Sequence, residues 1–100
     1  MVIGLNVMIV GGDYIGKIEE NLRGMGYVCV KHVTGRSRGD LRVVQNAYYI
    51  GIRILIVFTD FVSHKLAKEI KKIGKERGMV MVFCKRSWSC LDARMREIAR

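Results

Sequence analysis

The sequence predicts an α/β domain, a small three-layer sandwich on a four-stranded parallel sheet in the order 2-1-3-4. Three observations predict it. Short apolar runs alternate with stretches whose apolar residues recur at helical spacing. The run 53–58 is apolar almost throughout, as a strand covered on both faces has to be. Each apolar run gives way abruptly to polar residues just before a helical stretch, which is the pattern of repeated strand–helix units.

Residues 6–10 form the first strand, short and apolar, closed by Gly11 and Gly12. Ile15, Ile18, Leu22 and Met25 make the apolar stripe of the first helix, and Gly24 and Gly26 supply its stop signals. Residues 27–33 are rich in β-branched side chains and set Val28, Val30 and His32 against Tyr27, Cys29 and Lys31, which suits a strand less deeply buried than the others. Asp40 is placed to cap a second helix striped by Leu41, Val44 and Tyr48. The third strand is 53–58. Val62, Leu66, Ile70 and Ile73 stripe the third helix, which Gly78 ends, with Asp60 or Ser63 as its cap. Residues 79–83 are the fourth strand. Ser89 and Asp92 fit a capping box for a last helix faced by Leu91, Met95 and Ile98. Right-handed crossovers then favour a shortened flavodoxin-like or Rossmann-like sheet whose winding reverses between the first and third strands.

The chain of 100 residues is read as one domain, 1–100. No apolar run reaches the ~18 residues of a membrane span. Residues 1–8 carry neither a basic leader nor a cleavage pattern and read as the start of the first strand, so the expected compartment is the cytoplasm. Three cysteines without a CxxC pair argue against a disulfide framework or a zinc site. The net charge of +9 favours anionic partners: a small phosphorylated or carboxylated ligand, nucleic acid or an acidic protein.

Parallel strands would bring four polar clusters to one edge of the sheet, where open α/β sheets bind ligands. Gly11, Gly12, Asp13 and Gly16 loosely follow a phosphate loop, and free N–H groups there could meet an anion. Asp13 opposes that use, and a plain strand-to-helix turn capped by Asp13 is the commoner role. His32, Thr34 and Arg36, with Arg38 beyond, form a glycine-bounded basic loop able to fork onto phosphate or carboxylate oxygens, or simply a solvated one. Thr59, Asp60, Ser63 and His64 crowd hydrogen-bonding side chains at the switch point. His64, in the first turn of a helix, would be held neutral and able to exchange protons or bind a metal. Lys85, Arg86, Ser87 and Ser89 complete the set. Cys84 beside Lys85 and Arg86 would be an activated thiol if those cations faced it; a small apolar residue ending a strand is the commoner role. Cys90 and Arg96 match the spacing of a phosphatase loop, but the helical, glycine-free residues between them cannot wrap a phosphate.

The Gly11-Gly12 pair after a strand, His32 followed by Gly35, the segment Thr59-Asp60-Phe61-Val62-Ser63-His64 and Ser87-Trp88-Ser89 together resemble the bacterial domain-of-unknown-function family 2325. The resemblance spans residues 7–98. It implies a small cytoplasmic Rossmann-like domain with no established activity. In that family the Gly-Gly pair is often followed by a basic residue; Asp13 stands there in this chain. A fainter likeness to receiver domains, through Asp60 and Lys85, lacks the paired acids and the fifth strand of those domains.

Three functions follow as expectations. The first is a domain binding a small anionic ligand across the loops after the first and third strands, with no catalytic residue, metal or particular cofactor indicated. The second is a nucleic-acid-associated protein using Lys65, Lys68, Lys71, Lys72 and Lys75. The third is an oligomer, a dimer above all, paired through the apolar fourth strand.

Overall fold

A computed structural model describes residues 5–98. Residues 1–4, expected to lead into the first strand, lie outside the described residues. The strands are β1 (Leu5–Val10), β2 (Tyr27–Val33), β3 (Ile54–Phe58) and β4 (Val80–Cys84). The helices are α1 (Gly16–Gly24), α2 (Asp40–Ala47), α3 (His64–Arg77) and α4 (Trp88–Ile98). All strand pairs are parallel and the order is β2-β1-β3-β4, as the alternating pattern predicts.

Alternation along the two central strands builds the two cores. Val7, Ile9, Ile54, Ile56 and Phe58 point to one face, against Ile18 and Leu22 of α1 and Leu91 and Met95 of α4. Met8, Val10, Leu55 and Val57 point to the other, against Val44 and Ala47 of α2 and Ile70 and Ile73 of α3. Such two-sided burial is why both central strands read as unbroken apolar runs.

Three local expectations change. The strict alternation of β2 fails because its register against β1 slips between Val7 and Met8: Cys29 pairs with Val7 and Lys31 with Met8, and Val30 is left over as a bulge. α2 begins at Asp40 itself, so Asp40 does not cap it, and the helix gives way at Tyr48 to a 3-10 turn, Tyr48–Ile50. There Arg53 stacks 4.4 Å from the Tyr48 ring, which stays at the surface instead of joining the core. α4 starts at Trp88, one residue ahead of Ser89, so the expected box does not form and Asp92 meets Arg96 one turn on. α3 keeps its plan. Ser63 Oγ accepts the Leu66 N–H at 3.0 Å, and Gly78 closes the helix in the left-handed region.

Candidate functional site

Parallel strands place the four predicted clusters along the carboxyl edge of the sheet, but the chain's own side chains occupy much of it. At the β1/β3 switch point, Gly11 spends its N–H on Val33 O at 2.9 Å, so that amide is withdrawn from any ligand. Gly11 and Gly12 are buried, both with positive φ, and a Cβ on Gly11 would lie 3.2 Å from Phe58 Cβ and 3.3 Å from Phe61 Cβ. Phe61 thus roots beside Gly11, with nearly half of its surface left exposed. Arg86 crosses from the β4 side. Its backbone N–H donates to Asp60 Oδ1 at 2.9 Å, its guanidinium donates to Tyr14 O, and that group lies 5.7 Å from the centre of the Phe61 ring. Its Nε is buried without a partner beside Gly12. His32 Nε2–H donates to Gly12 O at 2.8 Å, a tautomer assigned from that carbonyl partner. These contacts fasten the β1 loop; they do not offer it.

Asp13 does not cap α1, which starts after Ile15 with no side-chain cap. It is paired with Arg36 across from the β2 side. Gly16 opens α1 at the surface, with nothing near its Cα that a side chain would strike. Thr59 is exposed and its N–H donates to Cys84 O. Lys85 is exposed, and Ser87 and Ser89 bond each other at 3.1 Å at the start of α4. His64 faces away from the switch point, on a flank of α3 shared with Ala67, Lys68 and Lys71.

Open space lies on the other flank of α3. A groove of about 400 Å³ runs between the β2–α2 loop and the first two turns of α3. Arg36, Arg38 and Lys65 bring cations to it, Ser37 and Ser63 bring hydroxyls, and Glu69 supplies the opposing charge. The amino end of α3, with its positive dipole end, points into the same region. Of the residues proposed from the sequence, Arg36, Arg38 and Ser63 line this groove, and Thr34 Oγ1 accepts the Arg36 N–H in the adjoining loop.

Asp40, expected to cap the second helix, instead shapes the loop before it. Asp40 is only 7 % exposed, and its Oδ2 accepts the N–H of Gly35 at 2.8 Å and of Ser37 at 3.0 Å. One carboxylate oxygen therefore folds residues 35–40 into a closed turn that presents Arg36, Ser37 and Arg38 outward. The signal was legible: an acid three residues after Ser37 and five after Gly35 can reach back as well as forward. Gly35, at φ +86°, holds the turn against α3's lead-in, where a Cβ would come within 2.8 Å of Val62 Cγ1.

Cys84 and Cys29 are not activated. Burial chiefly, with Cys90 next, pushes Cys84 from its ordinary 9.0 up to about 11, against a lowering pull from Arg94. Burial and Glu19 likewise push Cys29 up to about 11. Among the described residues no group of His, Cys, Asp and Glu side chains gathers to hold a metal, and no helix is long and apolar enough to cross a membrane.

Fold and site together define a small Rossmann-like α/β domain with a cationic groove beside its switch point. Residues 6–98 match the family model described as "Uncharacterized protein conserved in bacteria (DUF2325)", and the chain belongs to that family. No curated protein matches the chain. Among solved structures it is similar to the N-terminal domain of rat Sly1, at 15 % identity and a TM-score of 0.47, over 82 % of this chain and 74 % of that one.

Proposed function

We propose that this domain binds a small ligand bearing a phosphate or carboxylate group in the groove between the β2–α2 loop and α3. The groove carries the reading: three cations and two hydroxyls converge on a hollow of about 400 Å³, within the roughly 300–1,000 Å³ usual for small-molecule sites. Its lining offers cations and hydroxyls suited to recognition by charge and hydrogen bonds. Arg38 and Lys65 hold the anion by charge, with Ser37 and Ser63 as hydrogen-bond donors. Arg36, exposed and paired with Asp13, swings from that carboxylate to the ligand.

A thermal-shift and calorimetric panel of inorganic phosphate, sugar phosphates, nucleoside monophosphates and citrate tests this. A saturable shift with at least one of them is expected. Arg38→Glu should weaken that binding about tenfold or more, since a hydrogen bond between charged groups is worth roughly 1.5–3 kcal/mol. A panel that moves nothing, or binding indifferent to Arg38→Glu, refutes the groove.

A second reading uses the length of α3. Lys65, Lys68, Lys71, Lys72 and Lys75 are all exposed, and together they form a cationic face suited to a nucleic-acid backbone. That reading requires affinity for oligonucleotides that falls steeply with salt as counterions are released. A small ligand held by one phosphate group shows a much shallower dependence.

A further inference from the structure

The two outer edges of the sheet are built differently. β2 carries a bulge at Val30 and the exposed, charged Lys31, both devices that keep a free edge from pairing with another chain. β4 carries neither. Its five residues, Val-Met-Val-Phe-Cys, hold no charge and no proline, and their register against β3 runs unbroken.

The hydrogen bonds of β4 show which groups are left over. Val80 N donates to Arg53 O and Cys84 O accepts from Thr59 N, both at 2.9 Å, so residues 80, 82 and 84 direct their backbone groups to β3. The N–H and C=O of Met81 and Phe83 therefore face outward, where the sheet has no further strand among the described residues. Above this edge, the outer flank of α3 and the Phe83 ring enclose a second groove of about 270 Å³, lined by His64, Ala67, Lys68 and Lys71. The edge is thus an unprotected strand, apolar in itself and flanked on the α3 side by Lys68 and Lys71.

We infer that the outer edge of β4 accepts an extended acidic peptide as a fifth strand, its backbone paired with Met81 and Phe83 and its carboxylates set against Lys68 and Lys71. Main-chain pairing supplies affinity in such additions, and side-chain pockets on alternate positions supply selectivity. Charge chooses the occupant. A second copy would bring two chains of net charge +9 together along their cationic flanks, whereas an acidic segment is attracted to them.

The probe is a fluorescein-labelled acetyl-Val-Glu-Val-Glu-Val-Asp-amide titrated with the full chain and followed by anisotropy. Saturable binding is expected. Methylating alternate amide nitrogens of the peptide should abolish binding in one register and spare it in the other, because only one set of amides can face β4. Lys68→Glu combined with Lys71→Glu should weaken binding about tenfold or more, while Lys31→Glu at the opposite edge leaves it unchanged. No binding of the acidic peptide, equal binding of both methylated forms, or equal binding of a peptide with lysines in place of the acids overturns the inference. So does sedimentation showing that the chain pairs with itself until Met81→Pro blocks the edge. The groove beside the β2–α2 loop is a separate site, and neither result there alters this one.

Discussion

At the carboxyl edge of the sheet, two hollows one loop apart have opposite fates. In the crevice at the β1/β3 switch point, Phe61 packs against Gly11, and Arg86 lies over Gly12 with its guanidinium on Tyr14 O. Beside it, the β2–α2 loop and α3 leave a groove of about 400 Å³ whose cations face outward. The topology favours the crevice, which lies at the switch point, although both places lie at the carboxyl ends of parallel strands. Side chains decide between them. Around the crevice the loops spend most of their hydrogen bonds on one another, with Arg86 Nε left without a partner. The groove remains open because Asp40 satisfies the neighbouring loop from beneath and leaves its basic side chains free to point away.

The contrast can be broken most severely at Gly35. Gly35→Ala forces an L side chain into a positive φ and within 2.8 Å of Val62 Cγ1. A loss of about 2–4 kcal/mol in urea unfolding is expected, from roughly 1–2 for the backbone and a comparable amount for overpacking. A loss below about 0.5 kcal/mol would mean that the turn and α3's lead-in are not held together as described. Asp40→Ala comes next. It strands the N–H groups of Gly35 and Ser37 and should lower stability by about 1–3 kcal/mol. It should also weaken anion binding, because the loop no longer holds its arginines in place. Unchanged binding in a folded Asp40→Ala protein would deny the carboxylate its organising role.

Asp13→Asn sharpens the comparison in the other direction. It releases Arg36 from the crevice side to the groove side. An exposed ion pair is worth up to about 1 kcal/mol, so phosphate affinity should rise by no more than about fivefold. A fall in affinity would show that Asp13 holds Arg36 in its binding position instead of competing for it.

The smallest effect concerns the thiols. Cys84 and Cys29 both sit near 11 in the folded chain against 9.0 ordinarily. The unfolded chain therefore loses these protons first as pH rises. Their contribution to stability is intact below pH 9 and is lost progressively towards pH 11. Chemical denaturation at pH 8 and pH 10.5 should show a modest drop that Cys84→Ala reduces. At pH 8, iodoacetamide should label the exposed Cys90 well before the buried Cys84. Faster labelling of Cys84 would contradict its burial.

Much of the fold was readable because periodicity records burial. Continuous apolar runs marked β1 and β3, helical stripes marked α1 and α3, and parallel direction followed from their alternation. The bulge at Val30 was not readable, because a register slip depends on the partner strand and leaves no mark in β2's own composition. Asp40 was recognised as a residue that caps something, but capping chemistry points both ways along the chain and the residue turned back to the loop. The site was legible in part. Arg36 and Ser63 stood out as polar residues after strands, and both line the groove. The filling of the crevice was hidden, since Phe61 and Arg86 reach Gly11 and Gly12 from far along the chain. Lys65 was read with the other α3 lysines as a face for nucleic acid, whereas it also lines the groove beside the β2–α2 loop.

Amide chemical shifts followed while inorganic phosphate is titrated into the labelled protein test the central claim most directly. Signals of Gly35, Ser37, Lys65 and Leu66, on the groove, should move in a saturable way, while those of Gly11, Gly12 and Ser87, around the filled crevice, stay in place. Movement confined to the crevice residues would contradict the account and return the binding site to the switch point.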